Sequence, residues 1–439
     1  MEEISKIIKM NEIVEVGKFG NVLIVINSIV MITLIILYTH QHLYALISLF
    51  TKPTQEKEAK KLHSFAYLIC ARNEEKVIGN LIDSIYKQDY PKELMHVFVC
   101  CDNCTDNTYD ICTKTDAVVY KRNSNLKGKS YALDFLLNKI YEEDYDKDID
   151  AFFIFDADNL LSKNYTKEMN KSLDSGIKVC TSFRDSKNFA VNWISAGSAM
   201  SFYRECRIVH HSRKIFHLGT YVSGTGFYIA KDVIEKYGGW NFHTMVEDIE
   251  FSINCALDDI YVGYNENACF YDEQPSRLKD SLNQRLRWCK GTHQCFKLYE
   301  GKLIKKLITK LKLTCIDLII HITPMPVVAF IWLFIYLILM GINSLVMKLP
   351  IHFYLDTAIR STYSLFLITF VVAFLHALIV TILLGKKIKA PLYKKIIYLF
   401  TFPIYMFFYI PLSFIAIFKK VTWKPIKHDY SKSIENIEK

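Results

Sequence analysis

Residues 151–158 read Ala151-Phe-Phe-Ile-Phe-Asp156-Ala157-Asp158, five apolar residues followed at once by two acids on alternate positions. A short apolar run bounded by a polar turn is the mark of a strand buried on both faces. Three other segments repeat the pattern. His63–Ala71 is apolar and ends in Arg72-Asn73-Glu74-Glu75, Met95–Cys101 ends in Asp102, and Ala117–Tyr120 is a short further strand. Residues up to Lys87 and the stretch Gly128–Tyr141 suit helices between them. Strands alternating with helices predict an α/β domain with a mostly parallel, doubly wound sheet.

Ligands of such sheets bind beyond the carboxyl ends of the strands. Glu74, Asp102, Asp156 and Asp158 all stand at predicted strand ends. Carboxylates gathered there repel one another unless a cation intervenes, and hard oxygen ligands favour a divalent ion such as Mg²⁺ or Mn²⁺. Alternate residues of an extended segment share a face, so Asp156 and Asp158 can address one ion, with a diphosphate completing its shell. An Asp-x-Asp alone is equally an acidic solvated turn, so the weight falls on the coincidence of ends.

Further along, Gly224-Thr225-Gly226 precedes the short strand Phe227–Ala230, and two glycines flanking Thr225 allow close approach of backbone to a ligand or simply a tight turn. Glu247 and Asp248 interrupt an apolar pattern at a helix start, where acids are favourable in any case. Gln284, Arg287 and Trp288 share one helix face, and an amide, a guanidinium and an indole suit a sugar and a phosphate. Lys127 and Lys129 open a helix where a phosphate could be met. Gly128-Lys129-Ser130 imitates the end of a P-loop, but the earlier glycine that motif needs is Asn123. Cys101 and Cys104 lack the second pair of a zinc site, and His210-His211 lack a metal-binding spacing.

The 439 residues carry a net charge of +9, with Lys clustered beside apolar runs rather than in one basic stripe; this suits a lipid bilayer and argues against nucleic acid. Twelve scattered Cys point to reduced thiols rather than a disulfide framework. The reading divides the chain into an N-terminal segment (1–20), a transmembrane signal-anchor (21–50), a globular domain (51–300), an amphipathic interfacial helix (301–313), a C-terminal membrane region (314–418) of about three spans, and a basic tail (419–439). Spans are expected at about 316–346, 363–384 and 396–418. The Lys-rich loop 385–395 is cytoplasmic by the positive-inside rule, and so are the Lys residues after Phe50. The tail is cationic too, which conflicts with a fourth span. Either Pro403 and Pro411 turn the last segment into a re-entrant or surface-lying element, or the segment holding Pro324 and Pro326 crosses twice.

Taken in order, Cys70-Ala71-Arg72-Asn73-Glu74-Glu75, Asp102-Asn-Cys-Thr-Asp106, Asp156-Ala-Asp158, Glu247-Asp248 and Gln284…Arg287-Trp288 resemble the membrane-bound branch of glycosyltransferase family 2, which includes cellulose, chitin and hyaluronan synthases. Trp423-Lys-Pro-Ile-Lys-His428 resembles a family ending but departs from it at Pro425 or Ile426, and Val246 stands where Thr is common. The resemblance implies a GT-A domain between membrane helices and an inverting, metal-dependent transfer. It implies that Ala71, Glu74, Asp102, Lys129 and Asp156 bind the nucleotide-sugar and that Asp158 with Asp156 holds the cation. It further implies Asp248 as general base beside Glu247, and Gln284, Arg287, Trp288, Gly224 and Thr225 as an acceptor and diphosphate clamp. The expected partners are a UDP-sugar donor (glucose or N-acetylglucosamine) and a growing polysaccharide, or alternatively a membrane lipid taking a single sugar. A transporter or scaffold would place ionisable groups within its spans, and Asp317, His321, Asp356 and His376 lie mostly near segment ends.

Overall fold

The computed structural model describes residues 16–422, 428 and 430–438. Residues 1–15 of the N-terminal segment and most of the tail motif, Trp423–Lys427, lie outside them. The chain forms two compact units. One comprises the described residues up to His42 with Met325–Val372, and the other Leu43–Pro324 with the chain from Ala373 onward.

The larger unit is built on one sheet of eight strands: β1 (Phe65–Ala71), β2 (Met95–Asp102), β3 (Val118–Arg122), β4 (Ala151–Asp156), β5 (Leu160–Leu161), β6 (Val179–Ser186), β7 (Phe227–Ala230) and β8 (Val262–Asp272), in the order β3-β2-β1-β4-β7-β6-β8-β5. The pairs β1–β2, β1–β4, β2–β3 and β6–β8 are parallel, whereas β7 runs antiparallel to both β4 and β6. Successive residues of β1 feed opposite cores, as strand pleating requires. Phe65, Tyr67 and Ile69 pack with Ile78, Leu81 and Ile85, while Ala66 and Leu68 pack with Leu133, Leu136 and Phe251 from the other side. Helices therefore cover both faces, which is why these strands read as continuous apolar runs. The register sets Cys70 beside both Cys100 and Asp156, so the ends of β1, β2 and β4 finish level.

Strands β6 and β8 were not legible as strands. Thr181, Ser182, Asn265, Glu266 and Asp272 are buried within them, which breaks both the apolar run and the alternation. Their polar groups are satisfied locally: the Asn265 amide donates to the Glu168 carbonyl at 2.8 Å and to Ser172 at 2.9 Å.

Among the described residues, four helices are long and apolar enough to cross a membrane: Gly17–Phe50, Val327–Val346, Ile351–Leu384 and Leu392–Phe418. The expected 316–346 span is divided, with Thr314–Ile322 a separate helix whose buried face joins the larger unit's core. Residues 301–310 continue the long helix Leu278–Lys310, which stops where Leu311 turns left-handed (φ 49°). In the smaller unit, Trp332 donates to Asn27 at 3.0 Å beside an apolar cluster of Leu23, Tyr336 and Met340.

The last apolar segment is broken at Phe408 into Leu392–Phe407 and Tyr409–Phe418. Tyr398, Leu399 and Phe402 bury against Ala196, Ala199 and Met200 of the helix Trp193–Arg204. A Cβ on Gly197 would meet the Tyr405 ring at 2.5 Å, so glycine is what lets these helices touch. Leu412 and Ala416 pack on Leu286 and Cys289. The opposite face exposes Ile396, Phe400, Ile404, Phe414 and Phe418.

Candidate active site

The site forms where β1, β2 and β4 end. Beyond β4, Asp156 receives the Lys129 ammonium at 2.5 Å, and the same ammonium donates to the Gly224 carbonyl at 2.6 Å. Burial opposes the charge on Lys129, but Asp156 and Glu247 outweigh it and raise its pKa. Thr225 accepts the Asp156 amide at 2.9 Å through its hydroxyl and donates to Asn159. The Gly224–Gly226 turn is thereby clamped to the Asp-x-Asp loop. Both glycines have positive φ (78° and 69°), and a Cβ on Gly226 would lie 2.1 Å from the Phe270 ring.

On the other side of that turn stands Asp248, whose Oδ2 would be 3.6 Å from a Cβ on Gly224. Glu247 and Asp248 begin the helix Glu247–Leu257. Burial raises the pKa of both; each is pulled back by Lys129 and Arg287, and the Asp248 charge adds to pushing Glu247 up to about 7. Arg287 is oriented by a 2.8 Å hydrogen bond to the Met245 carbonyl. Trp288 presents its ring edge-on to Phe202 at 6.1 Å and 81°, and the Gln284 side-chain oxygen Oε1 is buried with no hydrogen-bond partner.

Asp158 is 3% exposed and faces the end of β8, accepting the Glu273 amide at 3.0 Å. Burial would raise its pKa, but the His428 and Lys187 charges hold it below the ordinary value. Asn159 links Asp158 to Asp272, which is held by Arg184 (Nε at 2.9 Å) and Gln274 (2.7 Å). His428 lies 3.0 Å from both oxygens of Glu74. Burial disfavours its protonation, yet Asp158 and Glu74 push it to about 10. Burial likewise raises Glu74 against the His428 charge.

Asp102 is engaged differently. Its Oδ1 takes Arg122 at 2.5 Å and the Asn103 amide at 2.9 Å. Ala71 is buried, and its carbonyl receives the Cys104 thiol at 3.4 Å. The structure thus gathers Lys129, Asp156, Gly224, Thr225, Glu247, Asp248 and Arg287, sets Asp158 and Glu74 beside His428, and leaves Asp102 with Arg122. Sequence reasoning missed Arg184, Asp272 and Lys187, and gave no role to His428, the last residue of the quoted tail motif. Asp272 obeys the strand-end rule, but on a strand the pattern did not disclose.

Asp156 and Asp158 are hard carboxylate donors suited to Mg²⁺ or Mn²⁺, but two side chains are too few for six-coordination. Among the described residues, no group of three His, Cys, Asp or Glu stands ready to hold an ion. The donor set fits a cation shared with a bound diphosphate.

A mostly parallel sheet with carboxylates at its strand ends, flanked by apolar helices, is a GT-A-type glycosyltransferase architecture. The profile of the family described as "Glycosyltransferase like family 2" matches residues 63–291, and the chain belongs to this family. It is similar to "Probable glycosyltransferase YdaM" of Bacillus subtilis (strain 168), 25% identical over 283 residues, covering 57% of this chain and 62% of the relative. It is also similar to "Beta-monoglucosyldiacylglycerol synthase" of Synechocystis sp. (strain ATCC 27184 / PCC 6803 / Kazusa), 26% identical over 239 residues, 52% of this chain and 47% of the relative. The matches thus span about half to three-fifths of these relatives' length. Among solved structures, the mannosyltransferase PcManGT from Pyrobaculum calidifontis, in complex with GDP-Man and Mn²⁺, shares the fold: TM-score 0.51, 14% identity, 91% of this chain and 99% of that one.

Proposed function

We propose that the chain is an inverting transferase that moves a hexose, glucose or N-acetylglucosamine, from a UDP-sugar to a growing polysaccharide at the cytoplasmic face of a membrane. The observation that carries this reading is the opposition of Asp248 to the Lys129–Asp156 pair across the Gly224 backbone. One side offers a base, the other an anchor for a donor's diphosphate.

A sugar hydroxyl is a poor nucleophile, so Asp248 accepts its proton as the new bond forms. Lys129 and Arg287 offset the negative charge that develops on the departing diphosphate. Asp156 and Asp158 would hold the divalent cation, which supplies further neutralisation of that leaving group. Attack opposite the leaving group converts an α-linked donor into a β-linked product. Ala71, Glu74 and Asp102, at the ends of β1 and β2, flank the nucleoside, and Gln284 and Trp288 serve the acceptor.

The last apolar segment supports a membrane arrangement with three crossings. Before it, Lys387 lies 4.4 Å from the Phe183 ring; within its first turn, Lys394 donates to the Ala190 carbonyl at 2.7 Å; after it, His428 reaches Glu74. A segment that begins and ends on the same unit crosses no bilayer, and its exposed apolar face suits the headgroup plane. Loop 385–395 and the tail then share the cytoplasmic side with the catalytic domain, which satisfies the positive-inside rule.

A second reading, single-sugar transfer to a membrane lipid, is favoured by the similarity to the diacylglycerol-directed relative. Purified full-length protein offered UDP-glucose or UDP-N-acetylglucosamine should release UDP only with Mg²⁺ or Mn²⁺ present. Asp248→Asn should lower kcat by about 10²–10⁴-fold with little change in donor KM. Retained turnover in that variant rejects Asp248 as the base, and a ladder of products distinguishes polymer from glycolipid.

A further inference from the structure

The helix Trp193–Arg204 does not run on regularly. It passes into a π-helical turn, Glu205–His210, before resuming at His211–Ile215. Such turns are uncommon and re-aim the side chains around them. Here the turn sets Glu205 within electrostatic reach of Tyr221. The His321 ring lies against Tyr221 at 5.0 Å and 53°, and is itself solvent-exposed. Arg204 acts electrostatically on both Glu205 and His321. The transfer chemistry described above uses none of Arg204, Glu205 or His321.

This cluster adjoins the reacting centre. Phe202, one turn before the π segment, lies under the Arg184 guanidinium at 3.7 Å and meets the edge of Trp288. Arg184 donates to the Ser223 carbonyl at 3.1 Å, beside Gly224 and therefore beside Asp248. Trp288 and Tyr221 belong to one apolar cluster.

We propose that Glu205, Tyr221 and His321, with Trp288 and Phe202 as aromatic walls, form an acceptor subsite that binds a saccharide unit behind the hydroxyl under attack. The inference rests on the reading of Asp248 as the base. A carboxylate, a phenol and an imidazole offer both acceptors and donors, which is what a polyhydroxylated ring needs. A neutral imidazole at His321 can donate from one ring nitrogen while accepting at the other. Aromatic surfaces match the apolar faces of a sugar. A diacylglycerol presents one hydroxyl and two alkyl chains, and would desolvate Glu205 and Arg204 without compensation.

The test uses the full chain in detergent with UDP-glucose or UDP-N-acetylglucosamine as donor, and with cellobiose, N,N′-diacetylchitobiose or 1,2-dioctanoylglycerol as acceptor. A disaccharide should stimulate transfer saturably. Glu205→Gln and His321→Ala should each raise its KM about tenfold, as expected for loss of a hydrogen bond involving a charged or buried polar group, with donor KM held within twofold. Use of dioctanoylglycerol alone, or an unchanged disaccharide KM in both variants, overturns the subsite while leaving the transferase reading intact. Absence of UDP release from every donor by the unaltered protein overturns both.

Discussion

Arg122 and Asp102 face each other at 2.5 Å with both side chains almost wholly buried, the guanidinium also donating to the Leu126 carbonyl at 3.0 Å. They lie 20 residues apart at the adjacent ends of β2 and β3, where the register pairs them directly. An ion pair so placed braces the ends of β2 and β3, the edge of the pocket proposed for the nucleoside, as much as it offers a ligand contact.

Removing one partner strands the other charge, which costs about 3–5 kcal/mol for a buried pair. Arg122→Met should therefore lower the thermal midpoint of detergent-purified protein and raise the donor KM. Adding Asp102→Asn should recover most of the midpoint but not the KM. Equal midpoints in all three proteins would show that the pair carries no structural weight.

The Glu247–Asp248 pair should set the acid limb of the rate profile. Burial raises both groups, so the base becomes protonated at a higher pH than an ordinary carboxylate, and the acid-side fall of kcat/KM should lie above the usual carboxylate range. Glu247→Gln removes a like charge, and the limb should shift to lower pH. Stability follows from the same linkage. A carboxyl raised in the folded state stabilises fully below its unfolded value near 4.5 and loses that contribution as pH rises through about 7. Glu247→Gln should gain in thermal midpoint over the parent progressively from pH 4.5 to 8; a constant offset would contradict the shift.

His428 stands on Glu74, and its charge bears on Asp158, two carboxylates assigned here to donor and cation. As a cation it competes with a metal ion, so His428→Ala should lower the Mn²⁺ concentration for half-maximal UDP release several-fold. With its pKa pushed to about 10, the competition should be insensitive to pH between 6 and 8. An unchanged Mn²⁺ requirement would mean the tail leaves the site before the ion arrives.

The readable parts of this fold were those whose burial is uniform. β1, β2 and β4 are apolar on both faces, and their terminal acids stand out against the runs that precede them. β8 hides Asn265, Glu266 and Asp272 in its interior, so neither the strand nor its terminal acid could be seen. The groups that brace the Asp-x-Asp loop come from remote parts of the chain: Arg184 and Asp272 are 88 residues apart, Glu74 and His428 354. Pairings of that range follow from topology rather than local pattern. The division of the membrane region at Thr323-Pro324, and the docking of Leu392–Phe407 on Trp193–Arg204 and of Tyr409–Phe418 on Leu278–Lys310, depend likewise on which apolar face finds a partner.

All twelve cysteines are free thiols, and none is freely exposed. All twelve lie between Cys70 and Cys315, in the larger unit, so maleimide reagents should meet a low background in the native protein and report the opening of that unit. A single cysteine introduced at an outward-facing position, such as Lys386 or Val346, would then be labelled selectively from whichever compartment it faces, and the sidedness of each loop could be mapped without first stripping the chain of its own sulfur.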